Sequence, residues 1–266
     1  MLYLTIPMLL VLGLLSGYLY RQYRIRQRQQ QERVEAIAWL QLLLDLLMLL
    51  QQRRGLMGAY LNGQSQLQSK LTDIAHQASV YQKRLNASPL PNIKGDKWRL
   101  LNNRISELLE QRFQDSNDSF NAHSQLFAVI LDHIWCVAER YQLTTDKDRA
   151  SRKEADQALR RLPNVAELLA QMRGLSTMTA SRGYCSSAFR LRLIYLTEQV
   201  QLLAQQTSLS TEPAEDFLQL VDQEVINNER IQISPDQLFA SATEAIETYL
   251  SQSRGILGRL QALGER

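Results

Sequence analysis

Apolar residues recur every three to four positions along most of the chain, which is the spacing of one face of an α-helix. The pattern predicts helices over 34–61, 67–85, 98–113, 120–143, 163–182, 186–206, 213–231 and 235–263, with a shorter one ending at 161. Prolines and short polar runs separate these segments. No segment alternates apolar and polar residues with a period of two, so we expect no sheet. The pattern therefore predicts an all-α fold, built as an antiparallel helical bundle.

The first twenty residues form a separate apolar segment. Residues 2–20 carry no charge and are rich in leucine, and a helix of this length extends about 28 Å, close to the thickness of a hydrocarbon core. A secretory signal peptide would begin with basic residues and end at a small-residue cleavage site. Here nothing basic precedes the apolar run, which ends in Tyr18, Leu19 and Tyr20. We therefore expect an uncleaved transmembrane helix over 1–21, which holds the chain in a membrane through residues 2–20.

The positive charge of the chain is concentrated beside this anchor. Five arginines lie from Arg21 to Arg33 against the single acid Glu32, which leaves a net charge of −1 on the rest of a chain whose total is +3. Positive residues that flank a span remain in the cytoplasm, so we expect the body at 34–266 there, after a basic juxtamembrane segment at 22–33. Binding of lipid headgroups is a second interpretation of these arginines. The body has no basic patch, so we expect no nucleic-acid partner.

The sequence lacks the patterns of a catalytic or metal centre. Two cysteines, Cys136 and Cys185, are too few for a disulfide framework, and neither lies in a zinc-binding spacing. His133 precedes Cys136 by one helical turn without a third ligand, so we interpret this pair as helix packing, and His123 is isolated. No nucleophile motif, phosphate-binding glycine loop or carboxylate pair is present. We expect neither an enzyme nor a resident metal or cofactor.

A short motif, Gln-x-Arg-Gly followed by Leu or Ile, occurs three times within predicted helices, at 52–56, 171–175 and 252–256. Its arginines, Arg54, Arg173 and Arg254, are separated by 119 and 81 residues, which are spacings too unequal for a solenoid. We therefore interpret the motif as a local feature of three different helices. Residues three and four positions away share a helix face with each arginine, and they are mostly apolar, small or hydroxyl-bearing. Such faces bury, so we expect three buried arginines.

A buried guanidinium needs a compensating partner, because an unpaired buried charge costs several kcal/mol. Nearby carboxylates, Asp45, Glu167 and Glu247, are one source of compensation. In this interpretation the arginines pair with them or extend to solvent, and the glycines serve helix contact alone. A small anion is the other source, because guanidinium groups bind planar oxyanions through pairs of N–H donors. Three copies of the motif favour the anion, to which Ser176 and Thr177 would add hydroxyl donors.

The motif segments resemble the bacterial nitrate- and nitrite-sensing (NIT) domain family. Residues 51–61 are similar to the family's first arginine-glycine helix, and residues 172–176 to its second. The chain departs from the family pattern at Arg53, where glutamate is usual, and at Met57, where serine is common. Arg53 either strengthens anion binding or is a solvated neighbour of Arg54. The resemblance covers about 34–263 and implies paired four-helix bundles that bind nitrate or nitrite between arginines of their central helices.

The motifs and the resemblance together predict a sensor in the inner (cytoplasmic) membrane, with its body in the cytoplasm. We expect it to bind nitrate or nitrite through Arg54 and Arg173, joined by Arg254, Ser176 and Thr177, and to signal by a rearrangement of helices. Family members commonly join the sensor to an output module, and none follows residue 263 here. We therefore expect the signal to pass to a separate output protein, to a second copy of the chain in a homodimer, or through the anchor. The alternative is a membrane-tethered helical scaffold for protein–protein interaction that senses nothing.

Overall fold

The computed structural model describes residues 2–90, 93, 95–145, 149–207 and 212–264, with side chains except those of 2–12, 213 and 264. These residues form nine α-helices and no strand, which confirms the predicted all-α class. The helices are α1 (Leu2–Leu61), α2 (Gln68–Asn86), α3 (Asp96–Glu110), α4 (Ser116–Arg140), α5 (Arg149–Asp156), α6 (Leu162–Arg182), α7 (Ser187–Gln205), α8 (Glu212–Val221) and α9 (Pro235–Gly264). A 3₁₀ turn at Ser65–Leu67 precedes α2, and π-helical turns at Gln157–Arg161 and Asp222–Ile226 continue α5 and α8.

The first helix is longer than the sequence pattern predicts. The expected anchor, the basic segment and the first body helix form one continuous helix of 60 residues, about 90 Å long. No proline or glycine lies between Arg21 and Val34, so nothing interrupts helical geometry there. The side chains of residues 13–20 are exposed, whereas Met1 and the side chains of 2–12 lie outside the described residues. By length and apolar composition, α1 is able to cross a membrane.

Local sequence explains where α4 begins and where α6 begins and ends. Asp115 precedes α4, and its carboxylate accepts hydrogen bonds from the backbone N–H groups of Asn117 and Asp118. Pro163 lies in the first turn of α6, where its missing N–H is not needed. Gly183 ends α6 with a φ of 75°, a left-handed conformation that glycine adopts without a Cβ penalty. These signals fix the start of α4 and both ends of α6, and the two helices contact each other and α1.

The helices pack as a bundle in which two groups follow the same order. In the first group α1 packs on α2 and α4, and α3 contacts both of them. In the second group α6 packs on α7 and α9, α8 packs on α9, and the turn that follows α8 contacts α7. The groups meet where α1 contacts α6 and α9, and where α4 contacts α6. Equivalent helices of the two groups are 119 residues apart in sequence. Adding 119 to the bounds of α2 (68–86) gives those of α7 (187–205), and adding 119 to the first residue of α4, 116, gives that of α9, 235.

The C-terminal half of α1 is the central helix of the first group. Its residues Ile37, Leu40, Leu46 and Leu49 point to different sides of the helix and are all buried, as expected for a helix that is apolar around its circumference. Burial on all sides places the first motif, which follows directly at 52–56, inside the bundle and against α6.

Candidate functional site

Two of the three motif arginines are buried at the contact between the two helix groups. Arg54 on α1 is 2% exposed and Arg173 on α6 is 1% exposed. They are close enough that the positive charge of Arg54 helps to lower the pKa of Arg173. For these two arginines the predicted burial is confirmed.

Arg54 is paired with a carboxylate of the other helix group. Its Nη1 donates to Glu167 Oε1 at 2.7 Å and to Ser124 Oγ at 3.0 Å, and its Nη2 lies 3.4 Å from Glu167 Oε2. Glu167 is itself 5% exposed and accepts further hydrogen bonds from the side-chain amides of Gln51 and Gln171. Of the two sources of compensation considered from the sequence, Arg54 therefore has the carboxylate. Its Nε makes no hydrogen bond.

Arg173 has no such partner. Its Nη1 donates to Thr243 Oγ1 at 2.9 Å, and its guanidinium carbon lies 4.6 Å from the centre of the Phe239 ring. Its Nε and Nη2 make no hydrogen bond, and among the described residues it forms no ion pair. Burial, followed by the charge of Arg54, lowers the pKa of Arg173 to about 9, although Glu167 acts in the opposite direction. Arg173 is therefore a buried cation that remains charged at neutral pH.

The surroundings of the two buried arginines match each other. Each arginine lies over a phenylalanine ring and donates to a hydroxyl oxygen one turn further along the helix that carries the ring. The matching sets are Arg54 with Phe120 and Ser124, and Arg173 with Phe239 and Thr243. Every member of the second set follows its counterpart by 119 residues. The spacing between the first two motifs thus reflects a repeated group of helices rather than the local feature inferred from sequence.

The first two motif glycines leave space for these phenylalanine rings where the two helix groups meet. A Cβ atom on Gly55 would lie 3.0 Å from Phe239 and 3.8 Å from Nε of Arg173. A Cβ atom on Gly174 would lie 3.1 Å from Phe120. Each glycine therefore makes room for the ring that stacks on the arginine of the other motif. A Cβ atom on the third motif glycine, Gly255, would meet nothing within 4 Å.

Arg53 is buried in a second polar cluster beside the first motif. Its Nη1 donates to Nε2 of His123 at 3.0 Å, and its Nη2 donates to the carbonyl oxygen of Leu109 at 3.0 Å. Since Nδ1 of His123 donates to the carbonyl oxygen of Ser119, Nε2 is free to accept. Burial is the main cause that lowers the pKa of His123 to about 3, so the ring is neutral. Sequence reasoning left His123 isolated because its partner lies 70 residues away.

The two hydroxyl residues predicted for the site differ in their hydrogen bonds. Ser176 is fully buried, and its hydroxyl group donates to the carbonyl oxygen of Arg173. Thr177 lies one turn after Arg173 and is 4% exposed, and its hydroxyl group has no partner. The hydroxyl group of Thr177 is therefore a buried hydrogen-bond donor without an acceptor.

Arg254 lies apart from the other two motif arginines. Its Nε is 3.1 Å from Oδ1 of Asp45, its Nη2 contacts Sδ of Met48 at 3.4 Å, and its side chain is 37% exposed. Asp45 precedes Arg54 by nine residues on α1, which is about 13 Å along the helix axis. Burial raises the pKa of Asp45, and the charge of Arg254 opposes that shift. The structure thus brings Arg54 and Arg173 together and pairs Arg254 with a carboxylate further along α1.

Sequence reasoning did not identify Arg192, an arginine on α7 that is half-buried beside the site. Its guanidinium carbon lies 4.7 Å from the centre of the Phe120 ring, on which Arg54 also stacks. No motif surrounds this arginine, and its proximity to Arg54 depends on the packing of α7 on α6 and of α6 on α1 and α4. The sequence therefore contained no signal for it.

The site offers hydrogen-bond donors and positive charge. The buried atoms without a hydrogen bond include Nε of Arg54, Nε and Nη2 of Arg173, and Oγ1 of Thr177. The described residues contain no group of three or more His, Cys, Asp or Glu side chains able to hold a metal ion. Such donors are suited to a small anion.

Comparison with known proteins does not assign this geometry to a family. The chain matches no family model, no curated protein and no solved structure at a significant level. The resemblance of the two motif segments to the nitrate- and nitrite-sensing family stays an expectation from the sequence.

Proposed function

We propose that this chain is a membrane-anchored sensor that binds nitrate or nitrite beside Arg173, between its two helix groups. The observation that carries the proposal is the buried guanidinium of Arg173, which has two nitrogens without a hydrogen bond and, among the described residues, no ion pair. A buried charge of this kind is costly unless it is compensated. An anion bound inside the bundle would supply the compensation.

The open positions of Arg173 suit a planar oxyanion. Nε and Nη2 form one edge of the guanidinium plane, and Nη1 on the other side already donates to Thr243. Two donors on one edge match two oxygens of a carboxylate-like or nitrate-like group. Thr177, one turn along the same helix, has a buried hydroxyl group that would donate a further hydrogen bond.

A single negative charge is sufficient for this site, because Glu167 already pairs with Arg54. Nitrate and nitrite are small, planar and monovalent. Sulfate and phosphate are tetrahedral and carry more charge, so removing them from water into the bundle costs more free energy. Chloride is monovalent but has no pair of oxygens to match the guanidinium edge.

The predicted ligands contribute unequally in this proposal. Arg173 and Thr177 hold the anion, and Arg54 adds its charge and its open Nε. Ser176 and Arg254 already have other partners. Their roles as ligands remain predictions from the sequence.

The anion would act as a signal by changing the balance between two arrangements of the helix groups. Arg54 and Arg173 lie on helices of different groups, and their like charges repel each other. An anion near both reduces the repulsion and favours the arrangement in which α1 and α6 are close. Because α1 is one continuous helix from Leu2 to Leu61, a shift at Arg54 reaches the anchor directly. We propose that the body forms paired four-helix bundles on the cytoplasmic side of the inner membrane and passes the signal to a separate protein or a second copy.

The Arg54–Glu167 pair favours a second candidate function, a membrane-tethered scaffold. In that case the carboxylate compensates Arg54, stacking on Phe239 accommodates Arg173, and no ligand is required. The scaffold would present the outer faces of the bundle to a partner protein. The two candidates differ in whether an anion stabilises the fold.

The test is thermal unfolding of the full chain in lipid nanodiscs, with nitrate, nitrite, chloride and sulfate titrated at constant ionic strength. A ligand at about a hundred times its dissociation constant adds about 2.7 kcal/mol to the free energy of unfolding, which corresponds to a midpoint raised by roughly 5–10 °C. We expect this rise with nitrate or nitrite, and not with chloride or sulfate.

Two variants assign the response to the site. Arg173→Gln is expected to abolish the selective rise. Arg254→Gln removes the same charge from the third motif and is expected to retain the selective rise. If the rise disappears in Arg254→Gln, that result supports the sequence prediction that Arg254 is a ligand. If no anion shifts the midpoint selectively up to tens of millimolar, the sensor is rejected in favour of the scaffold.

A further inference from the structure

Arg192 and Arg54 share one aromatic ring although they differ in exposure. Their guanidinium carbons lie 4.7 and 5.1 Å from the centre of the Phe120 ring. Arg192 is half-buried on α7, and Arg54 is 2% exposed on α1. Phe120 therefore contacts one arginine that solvent reaches and one that it does not.

Arg192 has no anionic partner of its own. Among the described residues it makes no ion pair and no hydrogen bond, and its pKa is lowered by its partial burial and by the charge of Arg54. Arg54 repels Arg192, and the face of the Phe120 ring attracts it without neutralising its charge. The guanidinium of Arg192 is therefore available to an anion from solvent.

The same position in the first helix group has the opposite charge. Asp73 on α2 precedes Arg192 by 119 residues and is exposed. The repeat therefore has an acidic residue on α2 at the position where it has a basic residue on α7. An anion is attracted to the basic residue and repelled from the acidic one.

We propose that Arg192 and Phe120 form the entrance to the buried site, an inference that rests on the proposed function. Arg192 attracts the anion from solvent, and the Phe120 ring moves aside to let it pass to Arg54 and Arg173. The ring also packs on Gly174, where a Cβ atom would lie 3.1 Å away. Movement of the ring therefore frees space directly beside the second motif.

The experiment measures the rates of nitrate binding and release on the full chain in nanodiscs. The chain is labelled with ¹⁵N-arginine, and exchange broadening of the Nε–H signals during a nitrate titration gives both rate constants. In Arg192→Gln we expect association to slow about tenfold at low ionic strength. The difference should shrink at high ionic strength, and dissociation should change less than association.

Two further variants distinguish the charge of residue 192 from the effect of losing one positive charge elsewhere on α7. Arg190→Gln makes the same change of charge on the same helix, where Arg190 interacts with Cys185 instead of Phe120, and is expected to bind at the wild-type rate. Arg192→Lys keeps the charge and is expected to recover most of the association rate. If Arg192→Gln and Arg190→Gln have equal rates while the wild-type chain binds nitrate, the entrance is overturned and the proposed function stands. If the wild-type signals do not respond to nitrate, both are overturned.

Discussion

The carboxylate of Glu167 lies 2.7 Å from Nη1 of Arg54 and joins α6 to the C-terminal half of α1 inside the bundle. Both side chains are nearly inaccessible to solvent. A pair of this kind depends on both members, because the loss of one leaves the other as an uncompensated buried charge. The pair therefore holds the two helix groups together and determines how much charge is left for a ligand.

Glu167→Gln is expected to lower the free energy of unfolding by about 3–5 kcal/mol, since Arg54 then stays buried without a carboxylate. Nitrate should restore more stability in this variant than in the wild-type chain, because a second arginine then needs an anion. Urea unfolding with and without nitrate measures both effects. Glu244→Gln removes an exposed carboxylate on α9 and serves as the control. Equal losses in the two variants would contradict the role of the pair.

The motif glycines should differ in their tolerance of alanine. Gly55→Ala places a Cβ atom 3.0 Å from Phe239 and is expected to cost about 1–3 kcal/mol through overpacking. Gly255→Ala meets nothing within 4 Å and should be neutral or stabilise the helix by up to about 1 kcal/mol. Thermal unfolding of both variants checks this difference, and a loss at Gly255 as large as that at Gly55 would show that the prediction is wrong.

The two hydroxyl groups that accept from the buried arginines should also differ in importance. Thr243→Val removes the hydrogen-bond acceptor of Arg173, and we expect it to cost about 1.5–3 kcal/mol, as for a hydrogen bond to a charged group. Ser124→Ala leaves Arg54 with Glu167 and should cost about 1 kcal/mol or less. Chemical denaturation compares the two variants. The reverse order of losses would mean that the carboxylate does not dominate the surroundings of Arg54.

His123 predicts how stability depends on pH. Its pKa is about 3 in the folded chain, against an ordinary value near 6.5 in the unfolded chain. The unfolded state therefore takes up a proton at this position first, and His123 lowers the free energy of unfolding as the pH drops below about 6.5, by up to about 1.4 kcal/mol per pH unit until the pH approaches 3. His133, whose pKa burial lowers to about 4, adds a slope of the same sign above pH 4. His123→Gln should reduce the total slope between pH 6.5 and 4. The exposed His76 is the control, and the prediction fails if His76→Gln reduces the slope by as much.

Cys136 provides a test of topology, because its side chain is exposed on α4. If the body lies in the cytoplasm, a membrane-impermeant maleimide should leave Cys136 unlabelled in bacterial spheroplasts and label it after permeabilisation. Cys136→Ser identifies the signal of the second thiol, Cys185. Labelling of Cys136 before permeabilisation would place the body on the other side of the membrane.

The sequence was sufficient for features that depend on neighbouring residues. The 3.6-residue periodicity located the helices, and the faces around Arg54 and Arg173 predicted their burial. It was insufficient where distant segments decide the outcome. The pairing of Glu167 with Arg54 depends on the contact of α6 with α1. The position of Arg192 near Arg54 depends on its stacking on Phe120, which lies on a different helix. The repeat is also not evident from the sequence, because an aromatic ring and a hydroxyl group four residues apart are common in helices.

The 119-residue register makes Met48 the counterpart of Glu167. The two halves of the chain therefore carry equivalent arginines, but only one half carries an internal counter-ion. With a glutamate at both positions, both buried arginines would be paired and no anion would be needed. With a glutamate at neither position, both arginines would be unpaired and the chain would bind two anions. The single glutamate therefore predicts that the proposed sensor binds one anion per chain.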